Sequence, residues 1–410
     1  MAAEWRDITL GDFVALQRGH DLTEPDRRIG RIPVMGSAGQ NGFHDTALAS
    51  GPGIVIGRSG ASFGQVHYSP VDYWPHNTAL YVKDFKGNDP RFVFYLLKAL
   101  DFDRYNSGSA QPSLNRNFIY PIRCHVPPLA EQRAIAAVLG ALDDKIELNR
   151  RMNATLESMA RALFQSWFVD FDPVRAKLDG RQPAGLDPET AALFPDSFED
   201  SESGHIPKGW HVGRVAEVSD FSRSSINPAE FPGETFDHYS LPAYDEGRTP
   251  KSELGSGIMS NKLVVTPNSV LLSKLNPHIP RIWLPDLHEK RRSVCSTEFI
   301  VASTRLGFSC EFLFSLFTSA AFATTYGTLV TGTTGSHQRI RPESVLEMKT
   351  IIPPSELVEA YSNITRPMFE RVKRNITQSR TLTTLRDALL PKLLSGELSV
   401  AGAESLMENA

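Results

Sequence analysis

Cysteine is scarce. The 410 residues hold three, Cys124, Cys295 and Cys310, too few and too far apart for a disulfide framework or a zinc site. No apolar run approaches the roughly 20 residues that cross a bilayer. The opening MAAEWRDITLGDF has neither the basic segment nor the apolar stretch of a secretory signal. These absences predict a reducing cytoplasm and no membrane. Catalytic signatures are equally thin. No Asp/Asn-Pro-Pro-Tyr/Phe methyltransferase motif occurs, since NPHI (276–279) and NPAE (227–230) do not fit it. The GxxxxGK[ST] phosphate loop is absent, and HEKRR (288–292) lacks the second histidine of a zinc protease. Asp286 with Glu289 and Lys290 has the wrong spacing for a nuclease carboxylate–lysine set, and the 11 histidines are scattered without ligand spacing. A chain of this size without a catalytic constellation reads as a binding protein.

Positive charge is not in excess either: the net formal charge is −4. Its distribution matters more than its sum. Residues 1–128 carry 13 Lys+Arg against 12 Asp+Glu, residues 210–354 carry 14 of each, and residues 129–168 and 355–410 are balanced. The acidity sits in 169–209, with 4 basic against 9 acidic residues. The rest is near neutral, which permits local basic patches without showing them.

What is present is a repeat. Pro127-Pro128 recurs as Pro353-Pro354, and the offset of 226 then runs without a gap through the following segment. Ile135 lands on Tyr361, Val138 on Ile364, Leu142 on Met368 and Ile146 on Val372. Leu156 lands on Leu382, Met159 on Leu385 and Leu163 on Leu389. Asn149 lands on Asn375. Earlier segments match more loosely: Trp5 with Trp210, GIVIGR (53–58) with SVLLSK (269–274), RFVFYLL (91–97) with EFLFSLF (311–317), and SGSAQPSLN (107–115) with TGSHQRIRP (334–342). Each half is thus a globular module, 1–128 or 210–354, followed by a long helix, 129–168 or 355–395, with a tail at 396–410.

The modules read as mixed α/β, with short β-rich runs between Gly/Pro/Asn turns and one clear helix each, near 91–105 and 310–325. In the long helices, apolar residues at spacings of 3, 4 and 4 make a stripe close to a coiled-coil seam. A helix of about 36 residues would be roughly 54 Å long at 1.5 Å per residue. Too polar outside to be core, it needs a partner along its length, and its own repeat is the obvious one. The seam is Ile135, Leu142, Ile146, Asn149, Leu156 and Leu163 against Met368, Val372, Asn375, Leu382 and Leu389. Asn149 and Asn375 either fix register inside the seam or sit at its solvent-facing edges. Pro367 should kink the second helix or delay its start, and Pro391 should end it. Residues 169–209, with five prolines and the run DSFEDSE, read as an extended, solvated spacer rather than a docking strap for a partner. The cluster Phe164, Trp167, Phe168 and Phe171 is too aromatic for a linker. It is expected to anchor a partner subunit, core packing at the helix end being the alternative.

These residues resemble a known family. PPLAEQRAIAAVLGALDDKIELNRRMNATLESMARALFQSWFVDFDPVRAK (127–177) closely resembles the central region of type I restriction–modification specificity subunits. SFEDSESGHIPKGW (197–210), YSLPAYDEGRTP (239–250) and LLPKLLSGEL (389–398) are also familial. PPSELV (353–358) departs from the PPLAEQ that follows the first module. The resemblance implies an α+β fold: two mixed α/β target-recognition domains separated by two long antiparallel coiled-coil helices, a pseudo-two-fold repeat. It implies a non-catalytic DNA-specificity subunit reading a bipartite double-stranded target. Two methyltransferase and two restriction subunits would be its partners, and S-adenosylmethionine, ATP and magnesium would belong to them, none to this chain. A fused restriction–methyltransferase polypeptide is a variant of that partnership. A coiled-coil scaffold that binds protein and not DNA, and an enzyme with an unrecognised site, are the competing readings.

Reading bases needs donors and acceptors on elements that reach a groove. The first module offers Arg58, Ser59 and Ser62 in GRSGASFGQ, and Gln111, Asn115 and Arg116 in GSAQPSLNRN. The second offers Lys274, Asn276, His278 and Arg281 in SKLNPHIPR, and His337, Gln338, Arg339 and Arg341 in GSHQRIR. Arg and Asn/Gln are the natural bidentate readers of guanine and adenine. The ordinary alternative is that surface loops are polar anyway.

Overall fold

The computed structural model describes residues 4–108, 112–288, 290–330 and 338–408. The chain divides into two compact units, Met1–Glu147 with Arg380–Ala410, and Leu148–Ser379. Each holds one module and a segment of both long helices. These helices span Leu129–Phe168 and Ser355–Leu394.

In the first unit, strand Arg6–Thr9 pairs antiparallel with Arg123–Val126, so the module's two ends meet. Between them lies a four-stranded sheet in the order Ala15–Arg18, Ala79–Asp84, Gly53–Gly57, Val66–Ser69. A smaller sheet takes Gly39–His44, Ile32–Gly36 and Trp74–Pro75. Helix Pro90–Ala99 starts on Asp89, whose carboxylate accepts from the Arg91 and Phe92 amides. Its buried face (Phe92, Val93, Leu96, Leu97) shares one core with Ile135, Leu139 and Leu142 of the first long helix and Leu389 and Leu393 of the second. The helix pair is tied where Arg386 Nη1 donates to Asp143 at 2.6 Å.

The second unit repeats this plan. His211–Arg214 pairs with Lys349–Ile352. The four-stranded sheet runs Ser219–Ser222, Phe299–Thr304, Ser269–Ser273, Ile282–Trp283, the same topology with equivalent strands. The second sheet has grown to five strands. Helix Cys310–Thr318 starts on Ser309 and packs Phe312 and Phe314 toward the long helices. Here the helices run antiparallel: Asn149 meets Gln378, and Ala160 meets Tyr361.

Several expectations are corrected. The segment 169–209 is folded: it forms helices Asp172–Leu178 and Pro188–Ala192 and the hairpin Phe198–Ser201/Gly204–Pro207. Its apolar residues Phe171, Val174, Phe194 and Ile206 are buried in the second unit's core, which outweighs the proline and acidic content that suggested solvation. The four aromatics Phe164, Trp167, Phe168 and Phe171 all lie in that core, around Trp210, Phe312 and Tyr361. They are not an exposed anchor, because folding covers them from within the unit. Pro367 does not delay the second helix. It is exposed, as is Asn363, the residue whose carbonyl loses the helical amide partner at 367. Pro391 lies within the last turn, and the helix ends at Leu394.

The seam is uneven. Ile135, Leu142, Val372 and Leu389 are buried. Ile146, Leu156, Leu163, Met368 and Leu382 are half-buried. Met159 and Ile364, both in the apolar pairing, are exposed. Asn149 and Asn375 are fully buried, so neither sits at a solvent-facing edge. Asn149 Nδ2 donates to Gln378 Oε1 at 2.9 Å, and Asn375 Nδ2 to Asn153 Oδ1 at 2.7 Å.

Candidate nucleic-acid interface

The candidate loops meet at one junction in each module, built the same way twice. In the first, strand Gly53–Gly57 runs out into a tight loop. The Gly57 amide donates to Gln65 O and its carbonyl accepts from Gly64, both at 2.8 Å. Position 57 must be glycine, since a Cβ there would lie 1.9 Å from the Ser62 carbonyl oxygen. The Arg58 amide donates to Thr78 O (2.9 Å), and the Arg58 carbonyl accepts from Leu114 N (2.8 Å). A bridge joins Ser59 to Ser113. Arg58, Ser59 and Ser62 are thereby set beside the 112–116 segment.

In the second module the Lys274 amide donates to Glu298 O (2.8 Å), the Lys274 carbonyl accepts from Ile340 N (3.1 Å), and a bridge joins Leu275 to Arg339. Each contact is the counterpart of one in the first module. Leu114 and Ile340 are the buried pins under the two junctions. This moves the sequence matching by one residue: Leu114 corresponds to Ile340 and Ser113 to Arg339, where SGSAQPSLN against TGSHQRIRP had set them one place later. Asn276 lies at φ 51°, a left-handed conformation that asparagine tolerates. Its amide donates to Gln338 O at 2.9 Å, and its buried Oδ1 has no protein partner. A cavity of about 380 Å³ opens beside Lys274, between Phe221, Arg223, Phe299 and Glu343.

The structure sorts the candidates. Gln111 and His337 lie outside the described residues. Arg58 Nη1 donates to Asn77 O (3.2 Å), which holds the side chain over the junction. Asn115 and Arg116 are exposed but engaged locally. The Asn115 side chain accepts from Asn117 N, starting the short helix Arg116–Ile119, and Arg116 Nη1 donates to Leu16 O at 2.9 Å. Arg281 is withdrawn from the candidate surface: its side chain is 13% exposed and gripped by both Asp245 oxygens at 2.8 and 2.9 Å. The guanidinium holds the Asp245 carboxyl below the usual carboxylate range. Arg339 forms a two-pronged pair with Glu298 at 2.8 and 3.1 Å. His278 and Arg341 are exposed, and Lys274, Asn276 and Gln338 half-buried, at the same junction.

Two residues escaped the sequence reading. Glu298 forms the floor of the second junction through its carbonyl and orients Arg339 through its carboxylate. Phe118, 55% exposed, stands on the helix beside Arg116. Their signal was hidden because the junction is assembled from strand ends far apart in the chain, with insertions between them that differ in the two halves.

Among the described residues, no group of three or more His, Cys, Asp or Glu could hold a metal, and no helix is long and apolar enough to cross a membrane. Residues 2–158 match the model of the type I restriction modification DNA specificity domain. The chain is 27% identical over 322 residues to the type I restriction enzyme MjaIX specificity subunit of Methanocaldococcus jannaschii, covering 75% of this chain and 69% of that one. It is 26% identical over 363 residues to the HindI specificity subunit of Haemophilus influenzae, covering 75% and 77%. The fold matches the crystal structure of a type I restriction–modification S subunit from M. genitalium with a TM-score of 0.59, at 14% identity over 95% of this chain and 96% of that one. Twofold repetition of module and helix, the central helical sequence and these likenesses agree: residues 2–158 match the type I restriction modification DNA specificity domain, and the chain is similar over most of its length to type I restriction enzyme specificity subunits.

Proposed function

We propose that this chain selects the DNA target of its complex and carries no chemistry itself. Each module reads one half of a split sequence through its junction, and the helix pair sets the separation between the halves. Methyltransferase and restriction subunits assemble on it and bring S-adenosylmethionine, ATP and magnesium. The observation that carries this reading is the duplicated junction, the same backbone frame built twice with different side chains on it. A frame that is constant while its side chains vary is what two half-sites of different sequence require. The near-neutral modules fit a reader whose grip on phosphate is completed by its partners.

The test is to co-express the chain with its methyltransferase subunit and map the methylated sites. Lys274→Ala with Arg341→Ala is expected to relax recognition in one half-site only, and Arg58→Ala with Ser62→Ala in the other. Seven residues inserted into each long helix beside the Asn149–Asn375 layer are expected to change the spacer and leave both half-sites alone. A complex that forms but shows no sequence preference, with or without these changes, would overturn the proposal in favour of a protein-binding scaffold.

A further inference from the structure

The two modules share one plan, and so do the two long helices, which leaves open how each module finds its own helix. The docking contacts answer through positions that correspond in the two halves. The helix pair Pro90–Ala99 and Cys310–Thr318 places Arg91 opposite Glu311, each one residue past the helix start. The long helices place Gly140 opposite Arg366 and Asp144 opposite Glu370 at the offset of 226.

In the first unit the Arg91 guanidinium lies across Gly140. It donates to Gly140 O at 3.1 Å and to both Asp144 oxygens at 2.6 and 3.0 Å. The guanidinium uses the gap: a Cβ on residue 140 would come within 2.7 Å of its carbon, so the Arg91 side chain would have to shift from this pose. In the second unit the polarity is reversed. The long helix supplies the cation, and Arg366 Nε donates to Glu311 Oε1 at 3.0 Å, with the Glu311 side chain only 13% exposed. The polar contacts one and two turns earlier differ as well. Gln132 takes the Asp89 amide (3.0 Å) and donates to Asn88 Oδ1 (2.9 Å), whereas its counterpart is Val358 and the bond is made by Ser309 with Ser362 (2.6 Å). The change from PPLAEQ to PPSELV is therefore part of the docking surface.

We propose that Arg91/Gly140/Asp144 and Glu311/Arg366 form a charge-reversed docking code that assigns each module to its own long helix. A first module placed on the second helix would set Arg91 against Arg366, with no gap to enter. A second module placed on the first helix would set Glu311 beside Asp144, a like charge where the Arg91 guanidinium had been. Partly exposed pairs contribute little when matched. Their discrimination comes from the mismatched arrangements, which bring like charges together. The functional consequence, a fixed order of the two half-sites along the target, rests on the proposed reading of the modules. The code itself does not, so its test reads docking and not DNA.

The test rewrites the second unit in the language of the first, in the full-length chain. Glu311→Arg alone places like charges together and is expected to lower the melting temperature and speed protease cleavage and hydrogen exchange in Cys310–Thr318. Adding Arg366→Gly opens the gap and gives the new cation access to Glu370, and protection is expected to return. A third change, Glu370→Gln, is expected to abolish the return. Glu311→Arg with Arg366→Ala is the decisive arm. Alanine is the better helix former, so rescue by glycine exceeding rescue by alanine identifies the gap and excludes a general relief of repulsion. Protection unchanged by Glu311→Arg, alanine rescuing as well as glycine, or rescue that survives Glu370→Gln would each overturn the proposal. No arm alters the ring contacts of Phe312 with Phe164 and Phe168, so the variants report docking in a folded chain.

Discussion

Replacing Trp167 with alanine tests whether the aromatic cluster is core or anchor. Trp167 is 1% exposed, and its ring meets Phe194 edge-on at 5.1 Å and lies 6.0 and 6.1 Å from Phe168 and Tyr361. Truncating a fully buried tryptophan costs about 3–5 kcal/mol, the lost transfer energy plus the cavity left behind. The second unit spans Leu148–Ser379, a size at which each kcal/mol moves the melting temperature by about 2–4 °C. Trp167→Ala is therefore expected to lower the transition of that unit by roughly 6–20 °C. Circular dichroism follows the melt, and urea titration gives an independent free energy. An exposed anchor behaves otherwise, because surface substitutions away from special features stay within about 0.5 kcal/mol. A variant that melts with the unaltered chain but no longer captures the methyltransferase subunit would refute the assignment to the core.

Two further outcomes follow from buried polar and sulfur groups. Asn149→Leu removes a carbonyl oxygen that has no partner and an amide whose shortest bond, 2.9 Å, is to Gln378, an exposed side chain that can turn to water, with longer bonds to Ser379 Oγ (3.3 Å) and Asn375 O (3.5 Å). Thermal stability is expected to hold or rise, since an unmet buried polar atom costs about 1–3 kcal/mol; a loss above about 1 kcal/mol would show that the Asn149 layer is a net stabiliser. Burial pushes the Cys124 thiol up to about 11 and the Cys295 and Cys310 thiols up to about 12. A raised value keeps the reactive thiolate scarce at pH 8. All three are expected to resist a disulfide reagent until the chain is unfolded, and rapid titration of three thiols in the native protein would contradict that.

The long helices were legible because a 3.6-residue stripe needs only local spacing. The stripe from Ile135 to Leu163 lies inside Leu129–Phe168, and that from Tyr361 to Leu389 inside Ser355–Leu394. The prolines misled because their effect depends on where they point. Pro367 is exposed, and the helix runs through it unbroken from Ser355 to Leu394. Residues 169–209 misled in the opposite sense: composition averages over a segment, whereas Phe171, Val174, Phe194 and Ile206 act individually by finding one core. Among the site candidates, residue type and Gly-flanked loops located the junctions. They could not tell a cation facing solvent from one held by the protein, and Arg281 belongs to Asp245.

The sequence alone determined the repeat, the two helices and the near-neutral modules, since each is a matter of order or count along the chain. The tertiary structure decided what those residues touch. It buried the aromatics, set Asn149 against Gln378, and joined Arg58 to Leu114 and Lys274 to Ile340. It also reversed the polarity of the docking pairs, Arg91 reaching Asp144 where Arg366 reaches Glu311. The reason is that burial and pairing depend on distances between residues far apart in the chain, and only the folded chain fixes those distances.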